Sequence, residues 1–135
     1  MAVIALKEYK NGDYTNYYDT LILPSGQTIR IEFQEEWTKS KNFYSIYLVT
    51  SHKRKQADST YGIATGKDGF TGLLWAKKKI IEFEIFKREK HANIPIIIYC
   101  TWTDNKRRDL YERGLRNLGY KYNFVFDKKA LCKTI

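Results

Sequence analysis

Residues Ile94–Trp102 (IPIIIYCTW) form a nearly unbroken apolar run in a chain of otherwise mixed polarity. A strand with one face in water alternates apolar and polar residues, because successive side chains point to opposite faces. A run without that alternation needs cover on both faces, so this segment is expected to be a central strand. Pro95 stands near its start, where a missing backbone donor is tolerated. At 135 residues the chain is long enough to bury such a strand in one domain, residues 1–135, and too short for two.

The sequence before that run does alternate. Tyr17–Leu23 (YYDTLIL) runs into Pro24-Ser25-Gly26-Gln27, a turn quartet. Thr28–Trp37 sets Ile29, Ile31 and Phe33 on one face and Arg30, Glu32 and Gln34 on the other. Phe43–Thr50 is a third strand, rich in β-branched and aromatic residues. Residues 51–69 are polar, basic and glycine-bearing, the longest candidate loop. A helix is predicted over about Phe70–Lys90, with Phe70, Leu73, Leu74, Ile80, Ile81 and Ile85 on one buried side, broadened by Phe83 and Phe86. Lys77-Lys78-Lys79 interrupt that side, so at least one lysine must lie along the apolar edge with its ammonium reaching water. After the apolar strand, Thr103-Asp104-Asn105 offer N-caps for a helix ending at Leu118, with Gly119 at the left-handed stop. Its buried stripe is Leu110, Tyr111, Gly114, Leu115 and Leu118. Lys121–Asp127 alternates as a strand, and Ala130–Ile135 can pair back on it. The expected fold class is α/β (α+β), an antiparallel meander followed by helix-strand-helix-strand in one mixed sheet.

Charge is unevenly spread. Lysine and arginine number 24 against 15 acids, a net +9; residues 1–40 hold four basic and six acidic residues, the rest twenty and nine. Such asymmetry points to a polyanionic partner: a nucleic acid, an acidic protein surface or a phosphate-rich ligand. A lysine-rich surface serving solubility is the other reading. Cys100 and Cys132 are the only cysteines, and a chain this long folds without a bridge, so reduced thiols and a cytoplasmic location are expected. The N-terminal MAVIALKEYK is too short an apolar patch for a secretion signal, and no run reaches the ~18–20 apolar residues that cross a bilayer. His52 and His91 sit among basic residues without ligands at metal spacing, so no metal site is expected.

Residues Ile96–Trp102 followed by DNKRRDLYERGLRNLGYKYNF at 104–124 resemble the C-terminal half of the GCN5-related N-acetyltransferase (GNAT) family. The shared pattern is an apolar strand, an asparagine, a helix with a Leu-Tyr pair, and Leu-Gly-aromatic before the last strand, over residues 60–127. The resemblance implies a GNAT-like mixed sheet with acetyl-CoA as acyl donor and an amine as acceptor. The donor would lie in a cleft between the strands Phe43–Thr50 and Ile94–Trp102. In such a site the CoA diphosphate rests on backbone N–H groups where a glycine-rich turn opens a helix. Gly66-Lys67-Asp68-Gly69-Phe70-Thr71-Gly72 occupies the matching place, so Gly66, Lys67, Gly69, Phe70, Thr71 and Gly72, with Asn105, are the implied cofactor-binding residues. Gly69 stands for the first signature glycine, while Gly66 stands where the family carries Gln or Arg, and Thr71 where it carries Gly or Ala. A loop capped by Asp68 is the alternative reading.

Two further roles follow from the resemblance. A tyrosine on the second helix protonates the departing thiolate, and Tyr111 is the candidate. Register on Leu118-Gly119-Tyr120 puts that position on Leu115 instead; register on Asn105 brings Tyr111 close. An amine acceptor also needs a base. Glu32, Glu35 and Glu36 lie on or beside the second strand; Glu32 is taken as the catalytic candidate, and no pattern separates the three. The family normally carries two helices between its first two strands, and the 16 residues before Tyr17 cannot hold a strand and two helices. The acceptor wall is therefore different, or the fold persists without the chemistry.

Two non-enzymatic readings stand beside this one. The clusters Lys53-Arg54-Lys55, Lys77-Lys78-Lys79, Lys87-Arg88, Lys106-Arg107-Arg108, Arg113 with Arg116, and Lys128-Lys129, interleaved with tyrosines, suit sequence-tolerant binding of nucleic acid. A compact basic chain of this kind also looks like a phage- or mobile-element-type protein that blocks a host protein. Tyr14, Tyr17, Tyr18, Trp37 and Tyr44 would then be its aromatic anchors.

Overall fold

Alternation in the first half becomes antiparallel pairing. A computed structural model describes residues 6–24, 26–37, 42–51, 66–90, 94–102 and 105–135. The strands β1 (Lys7–Asn11), β2 (Tyr14–Ile22), β3 (Thr28–Trp37) and β4 (Asn42–Ser51) form a meander. Helix α1 (Gly66–Lys90) then leads to β5 (Ile96–Cys100). Helix α2 (Asn105–Leu115) tightens into a 3-10 turn at Arg116–Leu118 and precedes the hairpin β6 (Lys121–Val125) and β7 (Lys128–Thr134). All seven strands form one sheet in the order β1-β2-β3-β4-β5-β7-β6. Only β4 and β5 run parallel, and parallel neighbours need a crossover, which α1 supplies. The mixed α+β class is as expected, with one further strand, β1, ahead of the expected order, and the apolar run is indeed interior, between β4 and β7.

Both helices pack on one face of the sheet. Ile29, Ile31 and Phe33 of β3 lie in register with Tyr17 of β2 and with Ile46 and Leu48 of β4, and all are buried. Phe83 of α1 stacks on Phe33 with ring centroids 4.1 Å apart and planes 9° apart. Ile96, Ile98 and Cys100 of β5 and Leu131 of β7 continue this core, and Tyr111 and Leu115 of α2 close over it. On the opposite face a small second cluster joins Tyr99, Val125 and Ala130, with Phe43 and Cys132 packed against them. No described helix covers that face. The central strand is thus buried on both sides, as its composition required.

The buried side of α1 differs from the expected stripe. Leu74, Ile81 and Ile85 are 51%, 42% and 44% exposed, while Ala76, Ile80, Phe83 and Lys87 face the sheet. The rotation carries Lys79, Glu84 and Lys87 inward, and the first two meet opposite charges. Lys79 reaches Asp19 of β2 at 2.8 Å, the apolar-edge lysine anticipated from the triplet. Glu84 accepts from Lys133 at 2.6 Å and from the Tyr120 hydroxyl at 3.0 Å. Helix α2 ends as expected at Gly119, whose φ of 93° is left-handed and whose amide donates to the Arg116 carbonyl. Two other expectations change. The polar segment Lys7–Asn11 is an edge strand, and Tyr17 and Tyr44, 2% and 0% exposed, are core residues rather than anchors. The Trp37 side chain and the basic cluster at 53–55 lie outside the described residues, as do His52 and His91.

Cys100 is buried and Cys132 partly so, and they are not joined. Among the described residues no helix is long and apolar enough to cross a membrane, and no cluster of side chains has the makings of a metal site.

Candidate functional site

β4 and β5 do not pair along their whole length. The parallel ladder runs from Asn42↔Ile96 to Ser45↔Tyr99 and stops there, while β4 continues beside β3 to Thr28↔Ser51. β5 meanwhile follows β7 to Cys100↔Leu131. The two parallel strands therefore part at Ser45 and Tyr99, and a cleft opens between them. Ile46, Tyr47 and Leu48 line one wall, and Thr101, Trp102 and Tyr111 the other, around a volume of about 220 Å³. A narrow apolar extension of about 20 Å³ leads inward past Ala76, Ile80 and Cys100.

The cleft has a hydrogen-bonding edge. The Asn42 amide donates to the Pro95 carbonyl at 3.3 Å, so even-numbered residues of β4 turn their backbone groups toward β5. Leu48 is in that set but lies beyond the last parallel pair. No described strand stands opposite its amide and carbonyl. An exposed strand edge of this kind recognises an extended chain that carries amides of its own.

Tyr111 is brought to this place. It is 5% exposed on α2 and lines both the cleft and its inner extension, whereas Leu115 reaches only the extension. Of the two registers left open by the sequence, the one through Asn105 falls on the residue that lines the cleft. Asn105 opens α2, and its side chain lies outside the described residues.

The glycine-rich segment is arranged differently from expectation. Helix α1 starts at Gly66, four residues before the predicted start, so Gly66–Gly72 is helix rather than a turn ahead of one. In an α-helix only the first four amides lack an internal acceptor. The amides of Gly69, Phe70, Thr71 and Gly72 are therefore committed, and an anion at this end would meet those of Gly66, Lys67 and Asp68. Thr71 is exposed and Gly72 buried; the side chains of residues 66–70 lie outside the described set.

Glu32 is a poor base. It sits on the face away from the helices and accepts from Arg30 at 2.7 Å, from the Tyr9 hydroxyl at 2.7 Å and from Gln34 at 2.6 Å. Burial alone works to raise its pKa, but these three donors outweigh it and hold the carboxyl below the usual carboxylate range. Glu35 points the other way, into the core, and accepts from the Tyr44 hydroxyl at 2.7 Å and the Thr15 amide at 3.0 Å. Glu36 is different: it accepts from the Tyr99 hydroxyl at 3.2 Å, and Tyr99 is the last paired residue before the strands part. Burial first and the Glu36 charge second push the Tyr99 hydroxyl well above its ordinary pKa. Ser45 faces Tyr99 across the ladder, and its hydroxyl offsets part of that rise by hydrogen bonding to Tyr99. The alternation of β3 put Glu32 and Glu36 on one face; nothing local pointed to Tyr99, 63 residues away from Glu36.

Comparison with family models, with curated proteins and with solved structures finds no match for this chain.

Proposed function

We propose that this chain is an acyl-CoA-dependent N-acetyltransferase with a reduced acceptor wall. One observation carries the reading: the parallel strands flanking α1 separate after Ser45↔Tyr99 and leave a cleft lined by Tyr111. The resemblance implies a donor cleft between those two strands. The remaining supports are the free edge at Leu48, suited to the amides of a pantetheine arm, and the first-turn amides of α1 on the helix that follows β4. The sheet order and the single parallel pair are also consistent with a GNAT-like arrangement.

Acyl transfer to an amine requires one proton to leave the nitrogen and one to reach the departing thiolate. Tyr111 has the hydroxyl for the second task. For the first, Glu36 is the carboxylate of β3 that is bonded to a residue of β5, and it replaces Glu32 in that role. Among the described residues no helix precedes α1, and the two helices of the usual acceptor wall have no counterpart there. Acceptors would thus approach over the sheet face that carries Glu36, Tyr47 and Tyr99.

Thermal unfolding with acetyl-CoA and with desulfo-CoA tests the reading. A ligand at a hundred times its Kd adds about 2.7 kcal/mol to stability, a shift of several degrees for a chain of this size. Both ligands are expected to raise the melting temperature alike. A rise without acetyl transfer to polyamines, peptides or aminoglycosides identifies a binding fold that has lost its chemistry. No rise at millimolar ligand removes the proposal.

A further inference from the structure

A second surface lies beyond the cleft, between α2 and the sheet edge. β6 is the outermost strand, and Tyr122 and Phe124 stand on its helix-side face at 38% and 71% exposure. The groove beside them holds about 420 Å³ and is walled by Arg116, Lys121 and Tyr122 over a floor of Leu131. The Tyr122 ring is held edge-on to Trp102, with centroids 5.7 Å apart, and its hydroxyl donates to Glu112 at 2.9 Å. The Lys129 ammonium sits 5.0 Å from the same ring, and Lys129 is the cross-strand partner of Phe124. Arg108 is engaged by Asp109 at 3.3 Å, and among the described residues Arg116 and Lys129 are cations of this face, beside the carboxylate of Glu112; Lys121 alternates to the other face with Cys132.

We propose that this groove binds single-stranded nucleic acid, with bases stacked on Phe124 and Tyr122 and phosphates held by Arg116 and Lys129. Rings two residues apart on a strand stand about 7 Å from each other, a ladder of flat apolar faces alternating with cations. Stacking on such rings is open to any base, and it needs bases that are not already stacked in a duplex. An acidic peptide would use the cations and leave Phe124 without a purpose. A second copy of the chain is disfavoured, because the surface repels its own charge. The inference stands apart from acyl transfer, since neither the cleft nor Tyr111 takes part.

Fluorescence anisotropy with labelled oligo(dT) and oligouridine, with a duplex of equal length and heparin as competitors, decides it. Two phosphate contacts give a slope of log K against log salt of about −1.4 for a single strand. Phe124→Ser is expected to weaken binding about fivefold or more, the lower range for loss of one stacked base, at an unchanged melting temperature. Arg116→Gln and Lys129→Gln are each expected to flatten the salt slope by about 0.7. The proposal falls if no oligonucleotide binds at about 50 mM salt. It falls equally if the duplex binds as tightly as the single strand. It also falls if Phe124→Ser leaves the affinity intact while heparin competes fully, because charge alone would then account for binding.

Discussion

Lys87 lies in the core with its ammonium 4.8 Å from the ring centroid of Tyr44, on the opposite side of the α1–sheet interface. Tyr17 and Phe86 complete the surround at 5.3 Å and 5.8 Å. Rings stabilise a cation but do not replace its water, and burial is the leading reason its pKa falls from 10.5 to about 8. Glu35 and Glu8 pull the value up, and Lys90 pulls it down further. Between about pH 8 and 10.5 the unfolded chain therefore binds more protons than the folded one. Stability rises with pH across that window and is flat with respect to this group below it.

Lys87→Met is expected to abolish that rise and to leave the protein as stable as, or about 1 kcal/mol more stable than, the parent at neutral pH. Urea unfolding at a series of pH values from 7 to about 10.5 checks it. The Tyr17 hydroxyl and the Cys100 thiol, both pushed by burial to about 12, ionise in the unfolded chain near 10.0 and 9.0, so they lower stability as pH rises through the upper part of this window, and the difference between parent and variant is what isolates Lys87. An identical pH profile in parent and variant would show that Lys87 reaches water freely.

The exposed stripe on α1 gives the second prediction. Ile81→Lys with Leu74→Glu replaces side chains that face away from the sheet, and surface changes of this kind alter stability by less than about 0.5 kcal/mol. Phe83→Ala removes the ring stacked on Phe33 and is expected to cost about 3–5 kcal/mol. Chemical denaturation of the two variants separates the faces. Comparable losses would return Leu74 and Ile81 to the core.

That contrast shows where local pattern stops being informative. Helix α1 has two apolar faces at helical spacing, and periodicity fits both. The choice between them is made by Phe33, by Asp19 opposite Lys79 and by Lys133 opposite Glu84, all distant in sequence. β3 and β5 were legible because their own composition states how many faces are buried. β1 was not: its five residues are all exposed and polar, and it is a strand only because β2 offers a ladder. At the site, Tyr111 was readable from its helix, whereas the parting of β4 and β5 and the Glu36–Tyr99 pair depend on tertiary register that no local spacing records.

The β6–β7 turn stores strain. Phe126 and Asp127 both have positive φ, 51° and 62°, the pair of values a tight hairpin favours and a bulky side chain resists. Phe126 keeps its place by packing on Phe43 at a centroid distance of 4.8 Å. Asp127 has no such compensation on the ring side. Asp127→Gly is therefore expected to raise stability by up to about 1 kcal/mol, while Phe126→Gly lowers it by removing the ring from Phe43. Melting curves of the two variants should move in opposite directions.

Under the proposed chemistry, three substitutions at the site should behave differently. Tyr111→Phe keeps the ring in the core and removes only the hydroxyl, so kcat is expected to fall by about 10²–10⁴ while acetyl-CoA binding persists. Glu36→Gln keeps the shape of the contact with the Tyr99 hydroxyl but takes away the charge that would accept a proton, and a loss of similar size is expected. Glu32→Gln is the control. Its carboxylate is occupied by Arg30, Tyr9 and Gln34, so turnover should hold while stability drops by about 1 kcal/mol as the Arg30 pair is lost. Steady-state kinetics with acetyl-CoA and a panel of amines reads all three. If Glu32→Gln silences the enzyme and Glu36→Gln does not, the acceptor comes from over β2 and β3, and the cleft between β4 and β5 is not where the proton is removed.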